Sequence, residues 1–360
     1  MKITTIYIWK KIQWCTLFIY YFKTKISNRI KIYYGGAITG DIGGPLVKLK
    51  RLKKLFPQSF FNFNVVYLLS NAIYAPFELI AFLKRKNVPV ILNQNGVFYS
   101  GWYSGDWKKK NNEMSLFYHE ANYVFWQSKF CKLSADKFLG KRRGPGEILY
   151  NCIDTNFFVP SSKIVRGNNF KFLITGKINQ SLEYRITETL RGISYAKEKG
   201  YNFQLILAGK IDKIVIKNCI NLAKSLKILN ALKILGRYSQ KIAPLVYQQA
   251  HAYVMLKYKD PCPNSVIEAM SCGLPILYSN SGGLPELVNN RCGVALSVKE
   301  SWTEKRITPK YNEIGNGMIK IYKRHKSMSS NARKRAVSKF DLKFWYDRHN
   351  AVFKDYLFKC

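Results

Sequence analysis

Acidic residues are in short supply. Asp and Glu total 21 against 59 Lys and Arg in 360 residues, which leaves a formal net charge of +38. A chain so short of acid is drawn to polyanions: nucleic acid, an anionic membrane face or phosphorylated substrates. A bias toward Lys, Ile, Asn and Tyr along the whole sequence is the alternative source of the charge. Histidine is scarcer still, at four (His119, His251, His325, His349), and no His-x-x-x-His pair exists to seed a metal cage. The eight cysteines (Cys15, Cys131, Cys152, Cys219, Cys262, Cys272, Cys292, Cys360) form no Cys-x-x-Cys and no Cys/His cluster of zinc spacing. A chain of this length has no need of disulfide staples, so reduced thiols and a cytoplasmic place are expected. No run of eighteen apolar residues occurs, which excludes a simple membrane-spanning helix. Wholesale disorder is excluded by what is plentiful: 47% hydrophobic and 15% aromatic residues.

The nearest approach to a long apolar run is Ile12 to Phe22, broken by Gln13, with Lys10 and Lys11 before it and Lys23 and Lys25 after. No small-residue cleavage site follows, so a signal peptide is a poor fit. Trp9, Trp14, Phe18, Tyr20, Tyr21 and Phe22 beside lysines suit an interfacial helix at headgroup depth. Packing of this extension on the first domain is the other reading. Residues 1–56 hold twelve Lys and Arg and one acid, Asp41. Five of these bases (Lys48, Lys50, Arg51, Lys53, Lys54) crowd one expected helix, either as a solvated face or as a membrane-facing patch.

Short β-rich runs alternate with helical patterns. Ile30–Tyr34 leads into a glycine loop from Gly35 to Gly44, and Pro45 to Phe56 reads as a helix with proline in its first turn. Val65–Leu69, Val88–Leu92, Tyr123–Trp126 and Ile148–Tyr150 read as strands, with helices at 76–86 and 129–139. Residues 151–169 lack periodicity and read as a linker. The alternation restarts at Phe170–Thr175 and continues through Phe203–Ala208, Leu232–Leu235, Ala252–Leu256 and Leu274–Tyr278. Strands alternating with helices predict an α/β fold with two parallel sheets, each covered on both faces. The expected divisions are 1–29 as an extension, 30–160 and 161–335 as two Rossmann-like domains, and 336–360 as a helix returning to the first. Ligands of such sheets bind outside the carboxyl ends of the strands, so a cleft between the two domains is the default site.

The chemistry concentrates at Lys259-Asp260-Pro261-Cys262-Pro263-Asn264-Ser265-Val266-Ile267-Glu268-Ala269-Met270-Ser271-Cys272-Gly273. Asn264 is a favourable N-cap, so a helix is expected to open at Ser265 with the amides of Ser265 and Val266 free for an anion. Glu268 lies one turn inside and Asp260 on the loop before. Two carboxylates flanking one anion site suit a ligand with both hydroxyls and phosphates.

This segment resembles the Asp/Glu-x7-Glu signature of the retaining GT-B glycosyltransferases, family 4 (glycosyl transferases group 1). Four further stretches resemble the family in the right order. They are the linker Ile148 to Pro160, Thr175-Gly176-Lys177, Gly236-Arg237-Tyr238 with Tyr247-Gln248-Gln249-Ala250, and Ser281-Gly282-Gly283-Leu284-Pro285-Glu286. The resemblance covers roughly residues 30–355 and is densest from 145 to 297.

It implies a GT-B fold with two Rossmann-like domains facing across a cleft, and transfer of a hexose with retention from a nucleotide-diphosphate sugar. The acceptor would be a glycan or a lipid-linked precursor of polysaccharide or lipopolysaccharide at the inner face of the membrane. By the same resemblance Glu268 holds the ribose and Asp260 the donor sugar. Ser265, Val266, Gly282 and Gly283 lie near sugar and diphosphate, Lys177 and Arg185 bind the diphosphate, and Gly43 and Gly44 let backbone approach the phosphates. The family often places a His after the third strand of the first domain; this chain has Asn95 there, with His119 as a substitute. Trp102 and Asp106, in the aromatic glycine-punctuated loop 98–107, are candidates for the acceptor pocket. No cofactor and no metal are implied beyond the donor itself. Catalysis would rest on positioning and on stabilising charge at the leaving diphosphate.

Other readings have less to stand on. An epimerase needs extra acid/base groups around the sugar, and a phosphorylase a Lys for pyridoxal phosphate; neither is visible. A nucleic-acid binder would rest on charge alone, since no helix-turn-helix, zinc finger or RNA-recognition signature is present, so no nucleic-acid partner is expected.

Overall fold

A computed structural model describes residues 29–40, 44–60, 62–161, 170–304 and 307–358, with positions 8, 11, 12 and 15 ahead of them. The aromatic stretch expected at a membrane interface and Gly43 of the glycine loop lie outside the described residues. The chain divides into two compact units: Met1–Tyr150 with Lys343–Cys360, and Asn151–Leu342.

Among the described residues the first unit has five parallel strands in the order β1-β2-β3-β4-β5. They are β1 (Ile32–Tyr33), β2 (Val65–Leu69), β3 (Val90–Gln94), β4 (Tyr123–Trp126) and β5 (Gly146–Ile148). The five residues of β2 are all buried, as a continuous apolar run between two covered faces requires. In-register partners of a parallel sheet point the same way, and Tyr67, Ile91 and Tyr123 are in register. On that face Tyr67 and Phe125 meet His349 of the last helix, α12 (Leu342–Phe358). On the other face Gln94 and Trp126 reach Met114 and Tyr118 of α3 (Trp107–Glu120). Three further helices follow the strands: α1 (Gly44–Leu55), α2 (Phe77–Arg85) and α4 (Lys129–Phe138).

One expected boundary shifts here, one helix goes beyond the sequence pattern, and the strand order adds a constraint. The strand expected at Ile148–Tyr150 lies two residues earlier. Helix α3 was not visible in the apolar pattern because Lys108, Lys109 and Lys110 open it and its inward face begins with a polar residue. Asn111 is buried and exchanges two hydrogen bonds with the backbone of Phe98, at 2.9 and 2.7 Å. Finally, the strand order runs straight through the unit, so its described strands contain no point of reversal and the crevice rule of open sheets locates no ligand there.

Among the described residues the second unit has six parallel strands in the order β11-β10-β9-β6-β7-β8. They are β6 (Phe170–Ile178), β7 (Phe203–Ile211), β8 (Leu232–Gly236), β9 (Ala252–Met255), β10 (Ile276–Ser279) and β11 (Gly293–Leu296). Helices α5 (Tyr184–Glu198), α6 (Lys213–Ser225), α7 (Ala243–Tyr247), α8 (Asn264–Ser271), α9 (Leu284–Leu287), α10 (Tyr311–Lys323) and α11 (His325–Phe340) cover it. Phe172, Ile174, Leu205, Leu207, Val254 and Leu277 of the sheet join Ile186, Leu190, Ile314 and Met318 in one buried core. Residues 151–161 of the expected linker fall in this unit, where Ile153 bridges to Asp341 and its amide donates to the Phe340 carbonyl at 2.8 Å. Strand order reverses between β6 and β9. Their ladder ends at Leu173 and Tyr253, whereas β6 stays paired with β7 as far as Ile178. That divergence is the topological switch point, where an open α/β sheet leaves a crevice.

Candidate functional site

Groups from the segments after β6 and β9 meet around this switch point. The last residues of β6, Thr175, Gly176 and Lys177, lie at its rim. Gly176 and Gly209 are register partners with φ of +130° and +124°, values that L side chains rarely adopt. A Cβ on Gly209 would collide with the Gly176 carbonyl oxygen, so only glycine lets the two strands pass so closely. Lys177 follows and is exposed.

Arg185, in the first turn of α5, is brought to the same rim and is only 4% exposed. Its Nη2 makes long contacts to the Thr175 carbonyl (3.4 Å) and to the Met255 sulfur (3.5 Å), and its buried Nε has no hydrogen-bond partner among the described residues. No described carboxylate pairs with it. A guanidinium withdrawn from water without a counter-charge costs several kcal/mol, and its donors are left under-used.

The acidic pair sits on the loop and helix after β9. Glu268 is buried inside α8, and the Tyr247 hydroxyl donates to its Oε2 at 2.8 Å. Burial, and after it the Glu268 charge, raises both Tyr247 and Tyr238 well above the usual phenol range. The same two causes push the Cys272 thiol up to about 12. All three therefore stay protonated. Thr175 Oγ1 lies 3.4 Å from the Tyr247 hydroxyl and 2.9 Å from that of Tyr253. Tyr247 spends its single proton on Glu268, so Thr175 is the donor to Tyr247 and Tyr253 the donor to Thr175. A chain of hydroxyls thus runs from the end of β6 to the carboxylate of Glu268.

Asp260 Oδ2 pairs with Lys257 at 2.8 Å, and its side chain is 13% exposed. Lys259 beside it is buried at φ +49°, a left-handed conformation that costs a non-glycine residue of the order of 1 kcal/mol. Its Nζ pairs with Glu300 and lies 3.3 Å from the Trp302 ring centroid, which together hold the kink. Gly282 approaches from the next loop at φ +64°, where a Cβ would stand 2.5 Å from the Asp260 carbonyl oxygen. Gly283 donates its amide to that oxygen at 2.9 Å. The two glycines anchor the Asp260 backbone through close approach.

The helix start differs from expectation. It opens at Asn264 after Pro263, with no side-chain cap. Asn264 is already helical, so its carboxamide cannot reach forward, and its buried Oδ1 has no hydrogen-bond partner among the described residues. The Val266 amide is taken by the Pro263 carbonyl at 3.2 Å, which leaves the Ser265 amide as the one of the two expected donors still available.

In the first unit Asn95 is buried just past the end of β3. Its amide donates to Ser70 Oγ at 3.0 Å, its carbonyl accepts from the Cys131 thiol at 3.1 Å, and Gln127 donates to its Oδ1. Lys48 of α1 reaches the same cluster, with Nζ 2.8 Å from Asn93 Oδ1. Lys48 is 4% exposed, which corrects its place among the five bases expected on an outer face: it is drawn inward. Asp106 caps α3 by accepting from the Lys109 amide at 2.9 Å. Trp102 is exposed and stacks on Phe98 at 5.2 Å. His119 is elsewhere. It ends α3, and in a parallel sheet a helix that precedes a strand ends at that strand's amino edge. It therefore lies at the opposite edge of the sheet from Asn95, with Nε2 2.8 Å from the Leu139 carbonyl. Gly44 opens α1.

Sequence reasoning quoted Thr175 and Tyr247 as parts of family-like stretches but missed their contact with Glu268, and it missed Tyr253 and the Lys48 cluster altogether. Hydroxyls brought together from three separate elements leave no spacing signal.

Comparison with known proteins fits this geometry. Residues 163–335 match the family model of glycosyl transferases group 1. The fold is that of the GT-B glycosyltransferases, and the matched segment, just under half of the chain, is similar to their group 1 domain. The domain contains the whole acidic pair, Arg185 and the hydroxyl chain. A curated Haemophilus influenzae protein described as an uncharacterized glycosyltransferase is 23% identical over 173 residues, 48% of this chain and 43% of that protein. The alignment thus spans less than half of that relative. Among solved structures, Anabaena HepE in complex with UDP is 16% identical with a TM-score of 0.65, over 87% of this chain and 82% of that one. A glycosyltransferase from Rickettsia africae matches at 16% identity and a TM-score of 0.64, over 89% and 84%. Sucrose-phosphate synthase from Thermosynechococcus elongatus matches at 14% and 0.62, over 82% and 74%. At such identities the structural likeness bears on the fold. Among the described residues no group of three or more His, Cys, Asp or Glu gathers as a metal cage, and no helix is long and apolar enough to cross a membrane.

Proposed function

We propose that the chain transfers a hexose, with retention, from a nucleotide-diphosphate sugar to a glycan or lipid-linked acceptor. The observation that carries this reading is Arg185: a buried cation with unused donors at the switch point, ten residues from Thr175. A diphosphate placed there supplies the missing counter-charge, and Lys177 and the Ser265 amide add to it. Glu268, fixed by Tyr247, accepts from the ribose diol. Asp260, held by the Lys257 pair and the glycines, accepts from hydroxyls of the sugar.

In this reaction the protein's work is electrostatic. As the bond from the anomeric carbon to phosphate breaks, negative charge grows on the leaving diphosphate. Arg185 and Lys177 stabilise that charge without reorganising. The departing phosphate oxygen takes the acceptor's proton on the same face of the sugar, which retains configuration. No metal is asked of this chain. Assembly of a surface polysaccharide on the inner leaflet, with the protein held peripherally by its positive charge, belongs to the same proposal.

A thermal-shift panel of UDP-, GDP- and ADP-sugars tests the reading. UDP donors come first because HepE was solved with UDP-glucose. Ligand at a hundred times its Kd stabilises by about 2.7 kcal/mol, which for a unit of this size is several degrees in Tm. Glu268→Gln keeps the shape and removes the charge, so the shift should shrink and turnover fall. No shift with any of the three classes, or full activity in Glu268→Gln, would remove the assignment.

A further inference from the structure

The first unit contains a polar cavity at the amino edge of its sheet, and so across the sheet from Asn95. It measures about 430 Å³ and is lined by Lys84, His119, Lys141, Arg142, Arg143 and Gly144 among others. Four permanent cations and a histidine converge here. Among the described residues Glu120 pairs with Lys84 at 3.0 Å, and no ion pair to Lys141, Arg142 or Arg143 accompanies it.

Arg142 is anchored. Its Nη1 donates to the carbonyls of Tyr118 (2.8 Å) and His119 (3.0 Å), and Nη2 donates to that of Ala121, closing the end of α3. The buried Nε has no hydrogen-bond partner among the described residues. A Cβ on Gly144 would strike the guanidinium, so glycine there keeps the group flat against the loop. Lys141 and Arg143, on either side of this fixed cation, are exposed and free to close on a ligand. Nothing in the donor site uses these residues.

We propose that this cavity is a binding site for a phosphate-bearing group, separate from the donor site. Arg and Lys donors around one fixed, half-buried guanidinium suit phosphate oxygens. A volume within the range of small-molecule sites leaves room for the glycerol or sugar that carries the phosphate. The phosphate comes either from an anionic lipid headgroup or from a soluble phosphorylated molecule, and the experiment separates the two.

The full chain is footprinted by lysine acetylation with and without sn-glycerol 3-phosphate. The same chain is then spun with phosphatidylglycerol and with phosphatidylcholine vesicles. The test variant is Lys141→Ala with Arg143→Ala, which spares the Arg142 cap. The control is Lys213→Ala with Lys217→Ala, two exposed lysines of α6 that remove equal charge. The site predicts that glycerol 3-phosphate protects Lys141 and Lys84 in the unmodified chain, and that the test pair, read by protection of Lys84, loses about thirtyfold in affinity while the control stays within twofold. If vesicle binding falls with the test pair alone, the phosphate is a lipid's. If vesicle binding is unchanged while glycerol 3-phosphate is lost, it belongs to a soluble ligand. Absence of protection, or equal weakening in both variants, overturns the proposal and leaves only non-specific charge.

Discussion

Lowering the pH should weaken the first unit through a single buried imidazole. His349 is fully buried between Tyr67, Phe125, Trp345 and Phe353. Its Nδ1 lies 2.8 Å from the Trp345 carbonyl, which can only accept, so Nδ1 carries the proton. Nε2 is then the acceptor for the Tyr67 hydroxyl at 2.8 Å. Protonating Nε2 would bury a cation, and burial, with smaller effects from Lys48 and Arg348, pushes the imidazole down to about 3 from 6.5. The unfolded chain takes up a proton as pH falls through 6.5 while the folded one does not. The contribution is therefore complete above 6.5 and is lost progressively down to about 3, at about 1.4 kcal/mol per pH unit. Between pH 7.5 and 5.0 that amounts to about 2 kcal/mol. Six of the seven tryptophans lie in the segments of this unit, so urea unfolding followed by tryptophan fluorescence reports on it. His349→Gln preserves an acceptor for Tyr67 and cannot titrate. The wild type should lose about 2 kcal/mol more than this variant over the interval, with other titrating groups cancelling in the difference. Equal losses would refute the argument, as would an imidazole NMR signal titrating near 6.5.

Replacing Arg185 with Met should leave the ligand-free protein as stable or more so, since it removes an uncompensated buried charge. The stabilisation by nucleotide-sugar should disappear, and a melting curve with and without donor reads both. Tyr247→Phe strips Glu268 of a charge-assisted hydrogen bond worth about 1.5–3 kcal/mol; titration calorimetry should show donor affinity down at least tenfold. Gly209→Ala should destabilise the second unit by about 2–3 kcal/mol, because a Cβ cannot pass the Gly176 carbonyl. A urea midpoint unchanged from wild type would contradict that.

Much of the fold was legible from local pattern. The runs at 65–69, 123–126 and 252–256 are apolar and β-branched or aromatic, and they stand as strands because a parallel sheet buries both faces. The run after Phe170 goes three residues further than its apolar stretch, through Gly176 and Lys177, since strand β7 continues to pair with it. Helix α3 was missed for the converse reason. Its buried stripe is Asn111, Met114 and Tyr118, so its inward signal opens on a polar residue and is short of apolar ones.

At the site, sequence spacing by itself placed Asp260 and Glu268 eight residues apart across a loop and one helical turn, while Arg185 and the paired glycines were marked only through the family resemblance. Tertiary structure alone decided what those groups mean. Burial turned Arg185 from a surface cation into an uncompensated one, and the meeting of three elements put Thr175, Tyr247 and Tyr253 in line with Glu268. The packing of α1 drew Lys48 inward, and the direction of α3 carried His119 to the far edge of its sheet. Spacing along a chain fixes what one helix or loop can present. Burial and opposition depend on which elements pack together, and that is written in contacts between residues far apart in the sequence.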